Sequence, residues 1–153
     1  MERRAGNTML KIRHIAFASE HPGKAAEFYK SAFGFKELSR FGLDPARPDE
    51  AKRPSGVFLT DGTLNIAILK FPENMLGKMG DAGIHHFGVV VEDVEAWTAK
   101  LEAMGAPCVV GRDDIPPGAH VELKFLGPDG VVFDITENMW PGSEPVDVAA
   151  AAK

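Results

Sequence analysis

One cysteine, Cys108, stands in 153 residues. That excludes an intramolecular disulfide and suits a reducing compartment. Its setting, APCVV, is that of a small buried apolar residue rather than a nucleophile. No apolar run reaches the roughly 18 residues a membrane span needs. The opening MERRAGNTML lacks the apolar core of a signal peptide. Basic blocks are missing too: 17 Lys and Arg stand against 22 Asp and Glu, for a net charge of −5. An acidic chain without a basic stripe is a poor partner for nucleic acid or an anionic membrane. Tyrosine occurs once, as Tyr29, and is expected in the core. A soluble, cytoplasmic protein is therefore expected. What is present, 44% hydrophobic and 25% charged residues, is ordinary for one globular domain.

The chain repeats itself. HIAFASEHPGKAAEFYKSAFGF, from His14, aligns with HFGVVVEDVEAWTAKLEAMGA, from His86, at an offset of 72 (86 − 14). Ala16/Gly88 and Glu20/Glu92 fall at the same offset. Each copy reads as strand, loop, amphipathic helix and terminal glycine. In the second copy Asp93 is the expected N-cap, and Val94, Trp97, Leu101 and Met104 recur at helical spacing. The first helix starts near Pro22 and is expected to bury Ala25, Phe28 or Tyr29, and Phe33. Gly34 and Gly105 are natural helix stops. Strands joined by Asp61-Gly62 and by Asp129-Gly130 follow in the two halves, a strong hairpin signal. Polar loops are expected over residues 42–56, 72–83 and 111–120. The domain spans 8–140, with modules at about 11–71 and 83–138 and a tail over 141–153.

Sorting four strands by parity separates two faces. Ile15, Phe17, Ile66, Ile68, Phe87, Val89, Val91, Phe133 and Ile135 are bulky and apolar, as a helix-covered face requires. His14, Ala16, Ala18, Asn65, Ala67, His86, Gly88, Val90, Asp134 and Thr136 are small or polar, the composition of a cavity wall. His86 thus joins His14 and Asp134, whereas His85 has the opposite parity and reads as a solvated or helix-edge residue. Two imidazoles and a carboxylate converging on a cavity match the facial triad for Fe(II), and also suit Zn, Mn, Ni or Co. A buried Asp134 would also be costly to keep ionised without a cation nearby.

The two repeat segments and GPDGVVFDITE together resemble the vicinal oxygen chelate superfamily, which includes glyoxalase I, methylmalonyl-CoA epimerase, fosfomycin and bleomycin resistance proteins, and extradiol dioxygenases. The resemblance runs from about residue 11 to 138. It implies an α+β fold: two paired βαβββ modules in a curved, half-open mixed sheet around a cavity, with the helices on the outer face. It also implies one divalent metal ion held by His14, His86 and Asp134, with Glu137 the second choice of carboxylate. The fourth ligand of glyoxalase I and the epimerase falls on or near Ala67. Asn65 is a poor substitute, so the general base of those enzymes is missing. Three ligands with open positions look closer to the dioxygenases.

The implied function is a metal-dependent lyase, isomerase or dioxygenase acting on a small oxygenated molecule. Asn65, Glu122, Lys124 and His120 are the candidate substrate contacts. The alternative is a metal-free sequestration protein of the bleomycin-resistance type; groove aromatics would support it, but few lie on the cavity parity. A fosfomycin-type transferase would need phosphonate-binding residues that cannot be placed here. A homodimer is expected, because open sheets leave edges to pair.

Overall fold

Alternation of apolar and polar residues makes Lys11–Ala18 a strand, β1, and the helix α1 (Pro22–Phe33) follows it. Strands β2 (Lys36–Phe41), β3 (Ser55–Thr60) and β4 (Asn65–Lys70) complete the first module. The second repeats the order: β5 (Gly83–Val90), α2 (Val94–Ala103), β6 (Cys108–Val110), β7 (Leu123–Leu126) and β8 (Val132–Thr136). The structure is a computed structural model and describes residues 10–44, 54–71, 82–115 and 117–140. Most of the two expected loops over 42–56 and 72–83, and the tail over 141–153, lie outside those residues.

All eight strands form one mixed sheet, in the order β2-β3-β4-β1-β5-β8-β7-β6. Within each module the first and last strands run parallel, and β1 and β5 join the modules antiparallel. The two halves therefore pair within a single chain. The edge strands β2 and β6 do not pair with each other, so the sheet stays open.

The parity sorting describes both faces. Val57, Leu59 and Ile68 pack against Ala25, Ala26 and Tyr29 of α1. Val91, Leu123, Phe125 and Ile135 pack beneath Val94, Trp97 and Leu101 of α2. Burying side chains of this size contributes about 1.5–3 kcal/mol each. Asp93 caps α2, its carboxylate accepting from Ala96 N at 2.9 Å. Gly34 closes α1 in the left-handed region at φ 73°, which an L side chain rarely adopts. Asp61 closes the β3–β4 turn by accepting from the backbone of Thr63 and Leu64.

Of Phe28 and Tyr29 it is Tyr29 that packs inward, with Phe28 63% exposed, and two expected core residues, Phe33 and Met104, lie outside at 64% and 73% exposure. The packed stripe of α1 runs through buried Pro22 and Ala26 and half-buried Ala25 and Tyr29, and its alanines bring the helix close to the sheet. Phe28 and Phe33 flank that stripe and contact the Tyr29 ring from outside. Met104 lies at the cap of α2, past its packed turns. Cys108 is half-buried; its Sγ lies 3.3 Å from Val110 O, and burial pushes its thiol pKa up, as befits an inert residue.

Candidate metal centre

The strand registers bring the histidines and aspartate together. Gly88 of β5 lies opposite His14 on one side and beside Asp134 on the other. Ala16 of β1 lies opposite His86. Gly88 has no side chain, so His14 and Asp134 lean toward each other across it. A Cβ there would collide with Asp134 Oδ1 and His14 Cε1, and would lie 2.6 Å from His14 Nδ1.

His14 Nε2 lies 3.2 Å from His86 Nε2 and 3.6 Å from Asp134 Oδ2, and His86 Nε2 lies 3.2 Å from Asp134 Oδ2. All three residues are buried. Two ligands at about 2.0–2.1 Å from one ion, at octahedral or tetrahedral angles, stand about 2.9–3.4 Å apart. The donor set therefore fits one divalent first-row ion in both chemistry and spacing. Asp134 Oδ1 and His14 Nδ1 are buried without a hydrogen-bond partner among the described residues.

Burial lowers the His14 imidazole from 6.5 to about 4, against the opposing pull of Asp134, so the ring is neutral at neutral pH and keeps one nitrogen lone pair. Burial alone would raise the Asp134 carboxyl. The hydrogen bond from His86 and the charges of Lys124 and both histidines outweigh it and hold the group well below the usual carboxylate range. Both effects set a stability window. Between about pH 6.5 and 4 the unfolded chain protonates His14 while the folded chain does not, so folding loses free energy as pH falls through that interval. Asp134 adds a loss below about pH 4. The urea midpoint of chelator-treated protein should drop between pH 7 and 4.5, and His14→Gln should flatten the drop. An unchanged midpoint in the wild type would contradict this.

His85 is more than a solvated residue. Its Nδ1 lies 2.6 Å from His86 Nδ1, and burial lowers its pKa to about 4. When His86 donates from Nε2 to Asp134, its Nδ1 accepts from His85. To present an Nε2 lone pair to an ion, His86 must hold its proton on Nδ1 and donate it to His85. His85 is thus the hydrogen-bond partner of His86 Nδ1 in either tautomer.

The other sequence candidates separate. Lys124 and Glu122 line a cavity of about 110 Å³ together with His14, His86 and Ala67. Lys124 reaches the centre itself, with Nζ 2.9 Å from Asp134 Oδ2 and 3.4 Å from His86 Nε2. Asn65 is buried but gives its amide to Arg13 O at 3.1 Å. His120 is exposed and does not line the cavity. Glu137 accepts from Val94 N at 2.9 Å and so serves the start of α2. With Ala67 at this place, no first-module carboxylate lines the cavity among the described residues. Larger surface hollows, of about 340 and 540 Å³, lie beside α1 and between α2 and β6, away from the triad.

Two residues escaped the sequence reading. Arg13 has the opposite parity to His14, but the β1–β5 register shifts at this point. Its buried guanidinium reaches the cavity side, paired with Glu122 and 5.0 Å from the Trp140 ring. Trp140 lies beyond the last strand, stacks on His14 at 4.9 Å and meets Phe58 edge-on at 4.5 Å. With Phe41, Phe58 and Phe71 it gives the cavity an aromatic wall, correcting the expectation of few aromatics there. Phe41 and Phe58 lie on strands outside the four that were sorted by parity; Phe71 and Trp140 lie past strand ends, where parity gives no signal.

Residues 11–135 match the Glyoxalase/Bleomycin resistance protein/Dioxygenase superfamily. No curated protein matches the chain in sequence. Among solved structures, a hypothetical protein from Bacillus halodurans C-125 is similar at 22% identity and TM-score 0.63, covering 90% of this chain and 100% of its own. The methylmalonyl-CoA epimerase of Mycobacterium tuberculosis is similar at 19% identity and TM-score 0.58, covering 92% and 91%. A mutant 4-hydroxymandelate synthase from Streptomyces coelicolor is similar at 14% identity and TM-score 0.61; the match spans 94% of this chain and 42% of that one. At these identities the likeness is one of fold.

Proposed function

Because the chain belongs to the Glyoxalase/Bleomycin resistance protein/Dioxygenase superfamily, we propose that it is a metal-dependent enzyme acting on a small oxygenated molecule, with His14, His86 and Asp134 as the ligands. The observation that carries this reading is the convergence of two imidazole nitrogens and a carboxylate oxygen, 3.2–3.6 Å apart, beside a cavity. A bound divalent ion would supply Lewis acidity toward neighbouring substrate oxygens or, as iron, oxygen activation. Three protein donors leave coordination positions for such oxygens. Trp140 and the phenylalanines exclude water from that side, which strengthens electrostatic stabilisation of an oxyanion. Glu122 and Lys124 are the polar groups placed to contact substrate.

The epimerase and synthase among the similar folds mark the range of chemistry, isomerisation or oxygenation. Ala67 weighs against an epimerase-like proton shuttle, since among the described residues no first-module carboxylate lines the cavity as a base. The aromatic wall favours a second reading, metal-free sequestration of an aromatic ligand. The two differ in whether a chelator abolishes ligand binding.

Elemental mass spectrometry of tag-free protein tests the first reading. Wild type should hold close to one divalent ion per chain, and His86→Ala should hold none. His85→Ala should retain the site with affinity about tenfold weaker, as loss of a tautomer-setting partner implies. Absence of metal from all three proteins, with no uptake of added divalent ions, would leave the sequestration reading in its place.

A further inference from the structure

The repeat assigns Lys124 a role that the three ligands do not. In the first module Phe58 of β3 pairs with Ala67 of β4; at the matching places of the second, Lys124 of β7 pairs with Asp134 of β8. An apolar pair on one side of the cavity is thus an ion pair on the other. The lysine head is buried, and it sits 2.9 Å from Asp134 Oδ2 and 3.4 Å from His86 Nε2. Those are two of the three atoms a metal would need.

Resting on the metal-dependent reading above, we propose that Lys124 is the site's own displaceable counter-ion: its ammonium and a divalent ion compete for Asp134 and His86, and the metal enters by displacing it. Two cations cannot share these donors, because their repulsion within a few ångströms in a buried site opposes joint occupancy. Without metal, the ammonium keeps Asp134 from being a buried uncompensated charge. With metal, the freed head group turns into the cavity, where Glu122 forms part of the wall and where a ligand's oxygen would sit. Metal loading would therefore also change which group Lys124 serves, from a protein carboxylate to the substrate.

The test is calorimetric and spectroscopic titration of the metal-free full chain with cobalt(II), without any activity assay. Lys124→Met keeps length and removes charge; Lys124→Gln is a second variant in case the first fails to fold, and melting curves report on both. The expected result is cobalt(II) affinity at least tenfold tighter than wild type, with a larger metal-induced rise in melting temperature. Equal or weaker affinity in the folded variants, with wild-type binding that is lost in His14→Ala, overturns the competition and leaves the metal site standing. Weaker affinity together with an altered cobalt spectrum would make Lys124 a ligand instead. Failure of wild type and both variants to bind cobalt(II) overturns the metal reading and this proposal with it.

Discussion

Asp134→Ala is expected to abolish metal uptake and to lower the stability of the metal-free protein by roughly 3 kcal/mol, the scale of breaking a buried ion pair from one side. Asp134 is fully buried, and its Oδ2 faces Lys124, His86 and His14 at once. Removing the carboxylate leaves a buried ammonium without its counter-charge and a void between β7 and β5. Hydrophobic loss is small by comparison, because an aspartate contributes little apolar area. The effect should therefore depend on the lysine. Asp134→Ala combined with Lys124→Met recreates an apolar pair like Phe58 and Ala67, and should recover most of the loss. Urea denaturation of the four proteins in chelator completes the cycle. A double mutant less stable than Asp134→Ala alone would show that the ion pair is not what holds this part of the sheet.

Much of this site was legible in the sequence because a strand has a period of two and the chain repeats. His14, His86, Gly88 and Asp134 fall on one face by parity alone, and the register places His14, Gly88 and Asp134 in one row. The helices and their glycine stops were legible for the same local reasons. What was hidden depends on geometry that period-two counting does not contain. The register shift in β1 turns Arg13 to the side of the cavity, and no turn residue in KIRHIAF announces it. Trp140 folds back over His14 from beyond β8, a long-range placement that leaves no spacing signal. The contact of Lys124 with Asp134 and His86 is hidden as well, since parity shows the face of a long side chain and not how far along it the charge reaches. Parity sets His85 apart from the cavity face, yet its ring meets His86 where β5 begins.

Gly88→Ala should be the most damaging single methyl group in this protein. It is expected to weaken metal binding by about 100-fold, at the upper end of perturbations to ligand-orienting groups, and to cost about 1–3 kcal/mol as an overpacked substitution. The alanine Cβ would strike Asp134 Oδ1 and His14 Cε1 together, displacing two of the three ligands from opposite sides. The cause is steric and not torsional, because Gly88 is absent from the glycines with positive φ. The first module shows why a methyl is tolerated at the matching place. There Ala16 pairs with Ala67, which has no carboxylate to displace, and on its other side faces His86 of β5. Gly88→Ala in the Asp134→Ala background restores that small-residue pair and should cost clearly less than in the wild type. Melting temperatures of the two single variants and the double variant, with cobalt(II) titration of Gly88→Ala, measure both effects. Equal costs in the two backgrounds would locate the collision on His14 alone, and unaltered cobalt(II) affinity in Gly88→Ala would remove the glycine from the metal centre's requirements.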